Sequence, residues 1–315
     1  MVSREDIESA SVGTVDGPGA RLMRLATIAS TCVACVLISA KIVASLMTGS
    51  VSLLSSLVDS LLDAFASVVN LLAVRHALQP ADREHRFGHG KAEPLAGLAQ
   101  AAFIAGSGIF IAIEAVKRLG DREPIENSDI GIAVMVLSLV LTLGLVAFQN
   151  HVVRRTGSTA ISADAVHYRM DILLNISIIV ALIAAGKFGL WWFDGVAALA
   201  ISAYIGWSSW KVGLRSYNLL MDHEFPDDVR EQIKAIVWRH PETRGLHDLR
   251  TRSSGIQPFI QLHLVLDPHL SLVRAHEISD EVELLIVNDF PGAEVIIHQD
   301  PLGHEEPHNP IPPAA

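Results

Sequence analysis

Long apolar stretches separated by short polar breaks run from Leu22 to about Trp210, after which the texture changes to short mixed segments. A helix that crosses a hydrocarbon core about 30 Å thick needs about 20 mainly apolar residues. Six segments satisfy that length: Leu22–Met47, Val51–Leu78, Leu95–Leu119, Ile130–Val153, Ala160–Gly186 and Trp191–Leu214. Small residues recur inside them (Ala96, Gly97, Ala99, Ala105, Gly106, Ser107 and Gly108 in the third), as closely packed membrane helices require. The breaks at Thr48–Ser50 and Lys187–Leu190 are so short that helices one and two, and five and six, are expected to form hairpins.

After Met221 the periodicity predicts αββαβ. Asp227–His240 reads as a helix, Leu246–Arg252 as a strand and Phe259–Leu266 as a second strand. In the latter, Ile260, Leu262, Leu264 and Leu266 take one face, and Phe259, Gln261, His263 and Val265 the other. Leu272–Phe290 reads as a helix and Glu294–His298 as a final strand. The expected architecture is an α-helical membrane protein: a six-helix transmembrane bundle with a C-terminal αββαβ cytoplasmic domain. Its divisions are a polar segment at 1–20, the bundle at 21–216, the soluble domain at 217–302 and a disordered Pro-rich tail at 303–315.

Composition agrees with this division. Of 315 residues, 50% are hydrophobic and 18% charged, with a mean hydropathy of +0.38, whereas soluble domains carry roughly 25% charged residues. The formal net charge of -10 argues against nucleic acid as a partner, since its binders concentrate basic residues on one face. Cys32 and Cys35 are the only cysteines and lie in an apolar run, where cysteine is a small hydrophobe and no disulfide framework is available. The N-terminus is polar and acidic, and no small-residue cleavage site follows the first apolar run, so a signal peptide is not expected. Basic residues in short loops set orientation. Arg21, Arg24, Arg75, Arg83, Arg86, Lys91, Arg154, Arg155, Lys211 and Arg215 lie on one side, against Lys117, Arg118, Arg122 and Lys187 on the other. The first side, with both termini, is expected in the cytoplasm of a multi-pass protein of the bacterial inner membrane.

Charged residues at mid-bilayer are costly and mark functional sites. Asp59 and Asp63 in helix two, and His167 and Asp171 in helix five, are each four apart and share a helix face. At a rise of 1.5 Å per residue both pairs lie roughly 10–18 Å deep, near the midplane. Three carboxylates and an imidazole make a four-coordinate set that suits zinc; calcium and magnesium want more oxygens, and copper(I) wants sulfur. Divalent iron, cadmium and cobalt remain compatible. Arg169 falls on the opposite face of helix five, with no partner evident from the sequence.

Two further groups stand out. Asp82, His85 and His89 lie in the polar loop between helices two and three, where a metal site and a solvated loop fit the spacing equally. His247, His263, His276, His298 and Asp300 crowd the soluble domain. Scattered surface histidines are the bland alternative, but their number beside a carboxylate points to metal, and a carboxylate can bridge two ions.

The segments SLVDSLLDAFASVVNLLAVR, LQPADREHRFGHGKAEPLAGLAQ, ADAVHYRMD, HDLRTR and VIIHQDP closely resemble the cation diffusion facilitator family, and within it the bacterial zinc and ferrous-iron efflux pumps. The resemblance runs from about Arg21 to Pro301. It implies a transport site of Asp59, Asp63, His167 and Asp171, a loop site of Asp82, His85 and His89, and a binuclear cytoplasmic site of His247, His263, His276, His298 and Asp300. It also implies a homodimer that exchanges cytoplasmic Zn2+, Fe2+ or Cd2+ for protons, a metallochaperone-like cytoplasmic domain with regulatory zinc, and an interlocking salt bridge between Lys91 and Asp222. Arg169 departs from the family's smaller or uncharged residue, and Pro94 enters the first turn of helix three, where proline is tolerated.

The rival expectations are an uncoupled metal channel, a membrane-bound metal sensor and an intramembrane zinc hydrolase. Tight four-ligand binding argues against high conductance. For the hydrolase the sequence offers no H-E-x-x-H, and GHGKAEP lacks the rest of a phosphate loop.

Overall fold

A computed structural model describes residues 18–48, 51–120, 129–188, 192–255 and 257–304. The polar N-terminal segment and most of the Pro-rich tail therefore lie outside the described residues. The chain divides into two compact units, with the division between Asn218 and Leu219.

The first unit is helical: α1 (Pro18–Thr48), α2 (Val51–Ala77), α3 (Ala92–Gly120), α4 (Asp129–Thr156), α5 (Thr159–Phe188) and α6 (Phe193–Leu220). These helices are 27 to 31 residues long, or about 40–46 Å at 1.5 Å per residue, longer than the hydrocarbon core. Among the described residues, Pro18–Met47, Ala92–Lys117 and Ala133–Thr156 are long and apolar enough to span by composition alone. α1 packs against α2 and α4, and α5 against α3 and α4. α6 lies along α3 through small residues: a Cβ added at Gly195 would stand 2.6 Å from Leu119 Cγ, and one at Gly97 2.7 Å from Ser216 Oγ.

In this unit polar side chains share the interior with apolar ones such as Ile104, Leu145 and Met170, and large apolar side chains also face outward. Leu25, Leu46, Phe65, Phe110, Val140 and Trp210 are exposed, while Ser30, Ser67, Asn70, Gln100, Gln149, Asp164 and His167 are buried. Helices that face lipid expose side chains that water would force inward, and backbone groups satisfy themselves within each helix. The joint between α4 and α5 shows how little chain such a turn needs. Gly157 adopts a φ of 68° and its N–H bonds to Val153 O at 2.8 Å, closing α4. Ser158 Oγ then accepts the Ile161 N–H at 3.2 Å and caps α5. This short joint fixes the ligand-bearing start of α5 against the end of α4.

The second unit contains α7 (Asp227–Val237), β1 (Gly245–Ser253), β2 (Pro258–Leu266), α8 (Leu272–Asp289) and β3 (Glu294–Pro301). The sheet order is β1-β2-β3, with β1 antiparallel and β3 parallel to the central strand. Ile260, Leu262, Leu264 and Leu266 meet Ile233, Ile236, Ile278, Val282 and Ile286 in one apolar layer. The αββαβ order matches the periodicity. The alternation in β2 is less simple than predicted, because Phe259, His263 and Val265 on the second face are also buried and only Gln261 is exposed. Side chains from both neighbouring strands cover this face: Arg252 lies over the Phe259 ring, and the rings of His247 and His298 flank His263. α7 also ends at Val237, three residues early, where Trp238–His240 turn away.

Candidate metal centres

On α5, His167 and Asp171 stand one turn apart, and α2 brings Asp63 to them. His167 Nε2 lies 2.9 Å from Asp63 Oδ1, and one donor atom from each of the three residues falls within 4.8 Å of the others. Tetrahedral zinc at about 2.0–2.1 Å from each ligand needs donors about 3.3 Å apart, so a small contraction closes the set. The His167 side chain is 2% exposed, and its buried Nδ1 has no hydrogen-bond partner. Asp59 precedes Asp63 by one turn of α2, but its side chain lies outside the described residues.

Several residues that the sequence did not single out surround this group. Asp164, one turn before His167, is buried and accepts from Ser30 Oγ at 2.6 Å, Gln100 Nε2 at 3.1 Å and Gln149 Nε2 at 2.6 Å. Ser67 Oγ, 3.2 Å from Ser30 Oγ and 3.1 Å from the Tyr168 hydroxyl, extends the network to α2. Asp164 thus ties α5 to α1, α3 and α4 directly. Lys41 on α1 donates to Ser60 Oγ at 2.6 Å. Both Asp164 and Lys41 carry the only early signal available to a sequence, an ionisable side chain inside an apolar run. Arg169 finds its partner in Asn150 Oδ1 of α4.

The loop group is also assembled. Asp82 Oδ1 accepts the N–H groups of Glu84 at 2.9 Å and His85 at 2.7 Å, the arrangement of an Asx turn. Its other oxygen, Oδ2, lies 3.2 Å from His89 Nε2, and His85 Nδ1 is 3.4 Å from Oδ1. The His85 N–H foremost, with that of Glu84 and with His89 and His85 nearby, holds the Asp82 carboxyl below its ordinary range against the opposing effect of desolvation. His89 is buried, its Nδ1 unpartnered, and its ring lies tilted against those of His85 and His76, with centroids 4.6 and 4.5 Å apart. His76, in the last turn of α2, was not singled out from the sequence.

In the second unit the sheet register lines up three histidines. His247 pairs with His263 across β1 and β2, and His263 with His298 across β2 and β3. Their rings stand 4.9 and 4.6 Å apart. Asp300, two residues after His298 and so on the same face, completes the group. Its Oδ2 is 3.0 Å from His247 Nε2 and 2.8 Å from His263 Nδ1, while Oδ1 is 3.4 Å from His298 Nε2. Burial tends to raise the Asp300 carboxyl, but the His263 hydrogen bond and the charges of His263, His298 and His247 hold it below its ordinary range. His276 is not brought into this group. It sits on α8, in the helix layer, 70% exposed and 3.6 Å from Asp280. Asp248, at φ 49° where the β1 register shifts, reaches within 3.9 Å of His263 Nε2 and was not anticipated. Asp222, also at positive φ, lies 3.5 Å from Arg252 Nη1 within the second unit, while Lys91 stands just before α3 in the first.

Two membrane helices and a carboxylate–histidine sheet face, each gathering transition-metal donors, set the terms for comparison with known proteins. Residues 27–221 match the cation efflux transmembrane domain, and residues 225–302 the cation efflux protein cytoplasmic domain. The chain belongs to the cation efflux family. The cation-efflux pump FieF of Shewanella oneidensis is 46% identical over 280 residues, covering 89% of this chain and 94% of that protein. The cation-efflux pump FieF of Cronobacter sakazakii is 50% identical over 281 residues, covering 89% and 93%. A solved structure of the zinc form of a putative zinc transporter, CzrB, is 31% identical and covers 27% of this chain and 98% of its own, with a TM-score of 0.26. As a family member the protein is a membrane cation efflux transporter.

Proposed function

We propose that this transporter exports divalent transition-metal ions, zinc foremost and Fe2+ and Cd2+ as further cargo, from the cytoplasm in exchange for protons by alternating access. The observation that carries the reading is the convergence of Asp63, His167 and Asp171 inside the helical unit, with Asp59 one turn from Asp63 as the fourth ligand. Two oxygen donors and one nitrogen donor at this spacing, with the sulfur ligands of copper(I) and the oxygen cage of calcium both lacking among them, suit zinc-like cargo.

Coupling follows from ligand chemistry. Imidazole must be neutral and the carboxylates deprotonated to bind a metal ion, so binding cargo and binding protons compete for the same atoms. His167 Nε2 and Asp63 Oδ1, 2.9 Å apart, are two of the atoms for which cargo and protons would compete. Opening to the acidic side reverses the exchange. Asp82, His85 and His89 form a second metal site in the α2–α3 loop. Lys91 and Asp222 act as the salt bridge that couples transport to the soluble part of the homodimer, which sits in the bacterial inner membrane with both termini in the cytoplasm.

The residues of the sheet face fit a regulatory zinc pair. His247 Nε2 is buried and 3.0 Å from Asp300 Oδ2 without forming a hydrogen bond, a nitrogen lone pair and a carboxylate aimed at common space. His247, His263 and Asp300 Oδ2 would hold one ion, and His298 with Asp300 Oδ1 would contribute to a second, with Asp300 bridging. Bound zinc supplies a cross-link that tightens the soluble domain and the dimer. His276, exposed on α8, would join this set only after a rearrangement of its side chain.

The test is zinc flux into proteoliposomes with and without an imposed pH gradient. Flux that saturates with zinc and rises with the gradient is expected. Unsaturated flux indifferent to the gradient would identify a channel, and zinc binding without flux a sensor.

A further inference from the structure

The transport reading accounts for the carboxylates and the imidazole but not for the ammonium placed beside them. Lys41 lies on α1 seven residues before its end at Thr48, about 10 Å inside the helix terminus. A lysine near the end of a membrane helix ordinarily snorkels to the interface. This one instead donates to Ser60 Oγ at 2.6 Å, and Ser60 is 4% exposed. Ser60 precedes Asp63 by three residues on α2, which places it on the Asp63 face one turn away. The ammonium is therefore held inward, one helical turn from a ligand carboxylate.

The other ionisable side chains near the centre of the bundle, Arg169 and Asp164, have other partners. Arg169 is bonded to Asn150 of α4, and Asp164 accepts from Ser30, Gln100 and Gln149, all neutral. Lys41, on α1 and bonded to Ser60 of α2, supplies a positive charge on the α1–α2 side of the ligand group. Asp59, Asp63 and Asp171 carry three negative charges when ready for cargo, and Lys41 carries one positive charge. The sum of minus two is balanced by one divalent cation with His167 neutral. Without Lys41 the loaded site would keep an excess negative charge in a low-dielectric setting, where such a charge binds cations harder and releases them more slowly.

We propose that Lys41, held by Ser60, is a fixed counter-charge of the transport site that matches it to a divalent ion and weakens cargo binding enough for release. This inference rests on the transport reading of Asp63, His167 and Asp171. It makes Lys41 a positioning and specificity residue rather than a ligand, since it acts on cargo through the field at the carboxylates.

The experiment is the zinc dependence of flux in proteoliposomes for the full-length protein and its Lys41→Gln, Lys41→Arg and Asp63→Ala variants. Lys41→Gln keeps a donor for Ser60 and removes the charge. It is expected to lower KM by about tenfold or more, the scale of a nearby unit charge acting on a dication, and to lower kcat because release slows. Lys41→Arg is expected to restore both. Structural damage would raise KM or abolish flux, so the direction of the KM change separates the two. If Lys41→Gln does not fold, Lys41→Met, which suits an apolar helix, is read the same way. A folded neutral variant with unchanged or raised KM overturns the proposal. If Asp63→Ala is inactive while Lys41→Gln keeps wild-type kinetics, only the Lys41 role falls; if folded Asp63→Ala transports normally, the transport-site reading falls with it.

Discussion

The two units of this chain place metal donors in opposite kinds of environment. In the helical unit a set of polar side chains is buried among apolar ones while large apolar side chains also face outward, and Asp63, His167 and Asp171 meet between helices. In the soluble unit the apolar residues are buried between two helices and a sheet, and the histidines take the sheet face that the helices leave free. An ion bound between helices can be exposed to either side when helices shift, whereas an ion on a hydrogen-bonded sheet is held by a lattice that changes little. On the function proposed above, the same donor types would serve passage in one unit and cross-linking in the other.

The comparison breaks first at Asp164, whose carboxylate supplies a polar interior with three hydrogen bonds from three helices. Asp164→Leu leaves those donors buried without an acceptor, at about 1–3 kcal/mol each. We expect loss of folded, monodisperse protein after detergent extraction, read by thermal unfolding of the purified protein. A variant as stable as the wild type would mean that the network is incidental to helix packing.

A smaller effect is expected on the sheet face. If Asp300 bridges two ions, Asp300→Ala should remove both from the soluble fragment 225–301, and His247→Ala only one, as read by calorimetric stoichiometry. Zinc at about a hundred times its Kd should stabilise the wild-type fragment by about 2.7 kcal/mol and raise its Tm. A fragment that binds no zinc would make its histidines ordinary surface residues.

The smallest effect concerns charge on the helix layer. Glu281 accepts from His240 at 2.8 Å and faces Arg274, and these partners, His240 first, hold its carboxyl below the ordinary value against the opposing effect of desolvation. A depressed carboxyl contributes stability above its unfolded pKa near 4.5 and loses it as pH falls through the lower folded value. Because Glu281 is 39% exposed, screening limits this to less than about 1 kcal/mol. Glu281→Gln should lower stability at pH 7 and flatten the acid limb of the fragment's unfolding profile. An unchanged limb would remove the pair from the account.

Much of the architecture was legible because it rests on local periodicity. The long apolar runs become α1 to α6, and the αββαβ order appears with boundaries shifted by a few residues. Spacing of four in α2 and α5 placed Asp63, His167 and Asp171 on common faces, and the convergence of those faces appears in the structure. What the sequence withheld depends on contacts between elements. Asp164 takes its meaning from Ser30, Gln100 and Gln149 on three other helices, and no spacing along α5 announces them. The alternation of β2 gave His263 a face but not its neighbours, which follow from antiparallel pairing with His247 and parallel pairing with His298. Asp248 approaches His263 through a positive φ at an irregularity in β1, and His276 stands apart because α8 belongs to the other layer.

The most direct measurement is zinc flux through reconstituted full-length protein for Asp63→Ala and Asp300→Ala side by side, each checked for folding by its elution profile. The account predicts no flux for Asp63→Ala, and for Asp300→Ala a slower flux with an unchanged preference among zinc, iron and cadmium. Normal flux through folded Asp63→Ala would contradict it.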